Sequence, residues 1–149
     1  PDGSFDPGGK PVRVLLTQGA HYRGTPDVVA RYGASVWGPP KAWWPPKRPN
    51  PSTTDELPAG IEALELDGEP QQVMFWIPDH VTLVTGDVIS GTGQRVHVFV
   101  DDADEALLLP ALERIAELPI ERLIIPHGAV IEHDGAGQLR AAIAETRGG

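Results

Sequence analysis

Three apolar runs in this chain each break off into a short polar turn, and this pattern constrains the fold more than any other feature. Val12–Thr17 runs into Gln18-Gly19-Ala20-His21-Tyr22-Arg23-Gly24, Val81–Thr85 into Gly86-Asp87, and Glu121–Ile125 into Pro126-His127-Gly128. Each run has the length of a strand, and unbroken apolar character marks a strand covered on both faces. In open α/β sheets, ligands gather just beyond the carboxyl ends of the strands. The three turns are therefore where chemistry is expected.

The segments between them fill in an α/β order. Pro26 suits the first turn of a helix capped by Thr25, which runs through Val28, Val29 and Tyr32 and stops at Gly33. Ser35–Trp37 reads as a short strand, and so do Ile61–Leu66 and Gln72–Ile77. In the last of these Val73, Phe75 and Ile77 alternate with Met74 and Trp76, so both faces are apolar and both should be covered. Pro78-Asp79-His80 leaves room only for a turn, which predicts antiparallel pairing with the strand that follows. Val96–Val100 is a further strand after a glycine-rich connection. Leu108, Ala111, Leu112, Ile115 and Leu118 recur at helical steps, with Asp102 or Asp104 as cap, and Pro110 predicts that the regular part begins there. Pro119 ends it. Leu139, Ala142 and Ile143 mark a final helix. The fold class read from this order is an α/β layered domain.

One segment breaks the pattern. Residues 38–58 hold seven prolines, which forbid a helix interior or a central strand, and they also carry Trp43 and Trp44. The segment reads either as a loop pinned by its tryptophans or as a substrate lid or partner surface.

Composition removes several classes of function. A chain of 149 residues fits one domain, and a domain of that size buries roughly 68–70% of its unfolded surface. Lys+Arg 12 against Asp+Glu 21 leaves a net charge of −9, which repels a phosphate backbone and argues against nucleic acid. With no cysteine there is no disulfide, no thiolate metal site and no cysteine nucleophile, so any metal must be held by His, Asp, Glu or backbone oxygen. No run approaches the ~18–20 apolar residues of a membrane span. The compartment stays open, with the cytoplasm favoured. No G-x-S-x-G elbow offers a serine nucleophile, and the Gly91–Gly93 stretch is too short for a phosphate cradle. The chain opens on Pro1 and its single methionine is Met74, which points to a segment upstream.

Taken in order, the strand ends resemble the metallo-β-lactamase fold superfamily. There a strand ending in LLT enters T-H-x-H-x-D-H-x-G, a glycine–histidine turn follows, then T-G-D, and finally a strand into G-H-G. Here LLT and Gly24 are present, T-G-D is Thr85–Asp87, and Pro126–Gly128 stands where the last histidine belongs. The likeness runs from about Val12 onward. It implies a metallo-β-lactamase-like αβ/βα sandwich, incomplete at the N-terminus, with 1–149 as a single domain.

Residue by residue, the resemblance implies a depleted metal apparatus. The early histidines of the first motif fall on Gln18 and Ala20, its aspartate on Tyr22 and its last histidine on Arg23. His21 takes a position that the family leaves free. The histidine of the following turn aligns with Glu69. Asp87, which bridges two metals in the family, and His127, a ligand of the second, are kept. Alanine has no lone pair and an amide is a weak zinc ligand, while a catalytic zinc takes about three protein ligands and keeps an open position. An arginine in this slot predicts a salt bridge from Arg23 to Asp87 that replaces the lost metal charge.

Three readings follow. In the first, the pocket around His21, Arg23, Asp87 and His127 binds a small-molecule ligand, or hydrolyses weakly without metal, and no cofactor is needed. In the second, one zinc, iron or manganese ion sits on Asp87 and His127, with His21 as ligand or general base and Glu69 as a further ligand. That protein is a hydrolase of an ester, thioester, lactone or phosphoester. In the third, the Trp43-Trp44 loop binds a partner. A sheet short of strands also exposes an edge, to be covered by a second copy in a homodimer or by the N-terminal segment.

Overall fold

The computed structural model describes residues 5–42, 56–93, 95–100 and 104–148. Trp43 and Trp44, most of the proline-rich segment and the candidate cap Asp102 lie outside the described residues.

The centre is a mixed sheet of four strands in the order β3-β4-β5-β8, formed by β3 (Glu62–Glu65), β4 (Val73–Ile77), β5 (Thr82–Val84) and β8 (Arg122–Ile124). β4 pairs antiparallel with β3 and β5, as the tight Pro78–His80 turn dictates, and β5 pairs parallel with β8. The turn closes on Val81, whose φ of 42° puts a β-branched residue in the left-handed region and delays the strand to Thr82.

The two faces of β4 are both covered, as its double apolar parity requires. Met74 and Trp76 enter the main core with Leu83 and Leu123, under α2 (Glu105–Ile115) and α3 (Gly135–Gly148). Phe75, on the opposite face, meets Trp37 edge-on with ring centroids 5.6 Å apart. Trp37 belongs to β2 (Ser35–Trp37), which pairs parallel with β1 (Arg13–Leu15) through α1 (Thr25–Tyr32). The end of β1 reaches the central sheet. Val73 donates to the Thr17 carbonyl at 2.9 Å, and Gln18 bridges Gln72.

Local differences from the sequence expectations have physical causes. α1 is capped by Gly24, not Thr25, because a 3-10 turn over Gly19–Gly24 feeds directly into it and Thr25 is already helical. α2 begins at Glu105, with Pro110 inside it. Proline there leaves the Ala106 carbonyl without its helical donor, at a typical cost of ~3 kcal/mol. Ala106 is exposed, so water can serve that carbonyl, and burial of Leu108, Leu109, Leu112 and Ile115 contributes about 1.5–3 kcal/mol for each such side chain. The glycine-rich connection contains a strand, β6 (Ile89–Thr92), which forms an antiparallel hairpin with β7 (Arg95–Val98). Gly91 masks the strand pattern, and the close packing described below is what requires it.

Candidate metal centre

The carboxyl ends of β1, β5 and β8 meet at one place, and each delivers one side chain. After β1 the 3-10 turn folds back on itself, with His21 N–H donating to the Gln18 carbonyl at 3.3 Å, while Tyr22 is buried beneath. After β5 the loop Gly86-Asp87-Val88 is clamped by Gln72, whose Oε1 accepts the Val88 N–H at 3.3 Å. A Cβ on Gly86 would collide with the Gln72 carboxamide, so a larger residue there would have to displace the clamp. After β8, Gly91 N–H donates to the His127 carbonyl at 2.7 Å and fixes the Pro126–Gly128 turn. Gly128, at φ 144°, lies against Gly91; a Cβ on it would stand 3.0 Å from the Gly91 Cα. Two glycines face to face thus let β6 hold the His127 turn.

His21, Asp87 and His127 offer ligand atoms that all lie within 4.8 Å of one another. Asp87 Oδ1 is 3.1 Å from His21 Nε2 and 3.4 Å from His127 Nε2. Oδ1 is itself buried, yet it takes no aligned hydrogen bond from either ring. The His127 side chain is 70% exposed, so the centre is open on that side.

Hydrogen bonds fix the rest. The Gln18 amide nitrogen donates to Asp87 Oδ2 and lies 3.0 Å from His21 Nε2. Thr17 Oγ1 is 3.0 Å from His21 Nδ1. A carboxylate only accepts, so the NH2 end of Gln18 must face Asp87, and its second N–H is then left for His21 Nε2. The Gln18 amide nitrogen and Thr17 Oγ1 thus stand one at each nitrogen of the His21 ring.

The structure corrects two expectations. Arg23 is exposed, and no ion pair joins it to Asp87, whose charged-type neighbours are the two imidazoles. The 3-10 winding carries position 23 away from the face that His21 occupies. Glu69 is buried but stays out of the His–Asp–His group; its Oε1 accepts the Gln71 N–H at 3.2 Å, which closes a local turn. Of the remaining histidines, His80 and His133 are exposed, while His97 is half-buried on β7. Sequence reasoning missed the Gln72 clamp, the Thr17 contact and the double role of Gln18. None has a signal in linear spacing, since Gln18 and Asp87 are 69 residues apart.

A cavity of about 280 Å³ borders His21. Leu15, Leu16, Val84, Ile124, Ile125 and Pro126 wall it, and the buried hydroxyl of Thr85 on its lining has no hydrogen-bond partner among the described residues.

Layers, strand order and a strand-end site together define a metallo-β-lactamase-fold protein, and comparison with solved structures agrees. The chain is similar to a metallo-β-lactamase from Pontibacter korlensis, with a TM-score of 0.58 and 16% identity over 91% of this chain and 70% of that one. It is similar to a metallo-β-lactamase from Hirschia baltica, at 0.60 and 15% over 89% of this chain and 68% of that one. The protein TTHA1623 in a di-iron-bound form matches at 0.63 and 23%, over 89% of this chain and 75% of that one. The chain thus spans 68–75% of the length of these three structures. No protein-family model matches it, and no curated protein matches it in sequence. Among the described residues no helix is long and apolar enough to cross a membrane.

Proposed function

We propose that this protein is a hydrolase-like enzyme that holds a single divalent cation on His21 Nε2, Asp87 Oδ1 and His127 Nε2. The observation that carries the reading is the buried Asp87 Oδ1, which has no hydrogen bond among the described residues and is set between two imidazole nitrogens, with three ligand atoms within 4.8 Å. Such a lone-pair cluster is costly without a positive charge at its focus. Two nitrogens and one carboxylate oxygen suit zinc, iron or manganese and leave coordination positions open.

The same residues do not fit a second ion. Gln18 turns N–H donors toward the side where the family resemblance puts a ligand, Ala20 has no lone pair, and Arg23 is an exposed cation with none to offer.

A cation bound here supplies Lewis acidity toward a carbonyl or phosphoryl oxygen. The chain's own residues do the rest. Thr17 holds the His21 ring through Nδ1, and Gln18 holds the second oxygen of Asp87. Exposure of His127 leaves substrate and water a path to the centre. The cavity beside His21 has apolar walls and the chain carries a net charge of −9, which favours a neutral acyl substrate over a phosphoester. Ester, thioester or lactone hydrolysis is the resulting reading. The Trp43-Trp44 segment, outside the described residues, is left to partner or substrate contacts.

Calorimetric titration of the metal-free protein with zinc, manganese and iron(II) tests this. One equivalent is expected to bind, and Asp87→Asn to weaken binding by about 100-fold or more, because the one anionic ligand is lost. Esterase activity should follow the bound metal. Absence of binding, or binding indifferent to Asp87→Asn, would overturn the reading.

A further inference from the structure

We infer that Gln18 is a positioning residue that fixes His21 as the Nδ1–H tautomer and keeps its Nε2 lone pair turned on the centre. The inference deepens the single-cation reading and rests on it for its purpose, although its geometry stands without a metal. A neutral imidazole carries its proton on either nitrogen, and only the nitrogen without it can be a ligand. Asp87 Oδ1 lies 3.1 Å from Nε2 but out of line for a ring N–H, so it does not make the choice.

Gln18 makes it. Its one NH2 group meets two acceptors at once, Asp87 Oδ2 and His21 Nε2. The bond to the carboxylate sets which end of the amide faces inward, so a protonated Nε2 would meet an N–H head-on. Thr17 Oγ1, 3.0 Å from Nδ1, takes the displaced proton on the far side of the ring. A pair of side chains adjacent in sequence thus grips one imidazole from both edges. A residue that contributes little as a ligand thereby prepares two other side chains to be ligands.

Long-range ¹H–¹⁵N correlation of the imidazole nitrogens in uniformly labelled, metal-free protein reads the tautomer directly. His21 is assigned by loss of its signals in His21→Gln. The wild type should show a protonated Nδ1 and a lone-pair Nε2. In Gln18→Ala, which removes the N–H aimed at Nε2, the two nitrogen shifts should move toward averaged values. A wild-type His21 with its proton on Nε2, or with both nitrogens protonated, would refute the inference, as would unchanged shifts in Gln18→Ala. If that variant fails to fold, the wild-type spectrum still decides. Zinc titration separates the two readings. An Nδ1–H His21 in a protein that binds no metal defeats the enzyme and keeps the positioning role, while metal binding with an Nε2–H His21 does the reverse.

Discussion

Replacing Gly91 by alanine adds one methyl group at the tightest point of the scaffold behind His127. A Cβ at Gly91 would lie 2.5 Å from Ile125 Cδ1, 3.2 Å from the Arg95 carbonyl oxygen and 3.6 Å from the His127 carbonyl oxygen. The first contact is a collision, the second needs a small backbone adjustment, and the third is ordinary. Overpacking of this kind costs about 1–3 kcal/mol. The lower entropy of an unfolded alanine returns about 0.4–1 kcal/mol, which leaves a net loss of about 0–2.6 kcal/mol in urea unfolding, centred on ~1 kcal/mol. Because Gly91 N–H holds the His127 carbonyl at 2.7 Å, the shift should also displace that ligand and weaken zinc binding by roughly 10-fold or more. The colliding atom is the end of a side chain, so it can be removed. Ile125→Val deletes Cδ1 and by itself costs about 0.5–1.5 kcal/mol. In the double variant the collision is gone, and stability and zinc affinity should both exceed the sum of the single effects by about 1 kcal/mol. Additivity to within about 0.3–0.5 kcal/mol, the range seen for independent sites, would refute the packing assigned to Gly91.

Further substitutions probe other links. Arg23→Ala should change stability by less than about 0.5 kcal/mol, as for other exposed positions; a large loss in thermal unfolding would restore the Arg23–Asp87 pair. Thr17→Val keeps the shape of the side chain but removes the acceptor at His21 Nδ1, and zinc affinity should fall by about 10–100-fold in calorimetry. Met74 is fully buried between the central sheet and the helices, so Met74→Ala should cost about 2–5 kcal/mol. Each of those should lower Tm by about 2–4 °C in a domain of this size, and unchanged melting would mean that this core was misplaced.

Part of the candidate site is written in the chain itself. Strands read from their apolar runs do end in turns that carry His21, Asp87 and His127, because a buried strand needs an unbroken apolar stretch and the chain must turn polar where it emerges. Helical periodicity likewise placed Leu108, Leu112 and Ile115 on one buried face. Arg23 shows the limit. The family resemblance puts Arg23 where a ligand belongs, beside His21; wound at three residues per turn, positions 21 and 23 face different ways. No local residue preference announces that winding, which is set by Tyr22 going into the interior.

Pro110 shows a second limit. Its missing N–H is a local penalty, and the sequence rule places a helix start there, but the buried leucines of α2 outweigh it. Gly91 is a third: glycine reads as a connection until the turn carrying His127 is seen lying against it.

Composition and hydrophobic pattern alone established the layered α/β class and the exclusion of thiol chemistry, and pointed to the strand ends as the place to look for a site, since these depend only on which residues follow one another. The tertiary structure alone decided that Gln18 grips both Asp87 and His21, that Arg23 and Glu69 stand outside the group, and that one carboxylate oxygen stands between two imidazoles with no hydrogen bond among the described residues. Those relations join residues as many as 69 positions apart, and hydrogen bonds a few ångströms long become definite only once the strands have set the distance.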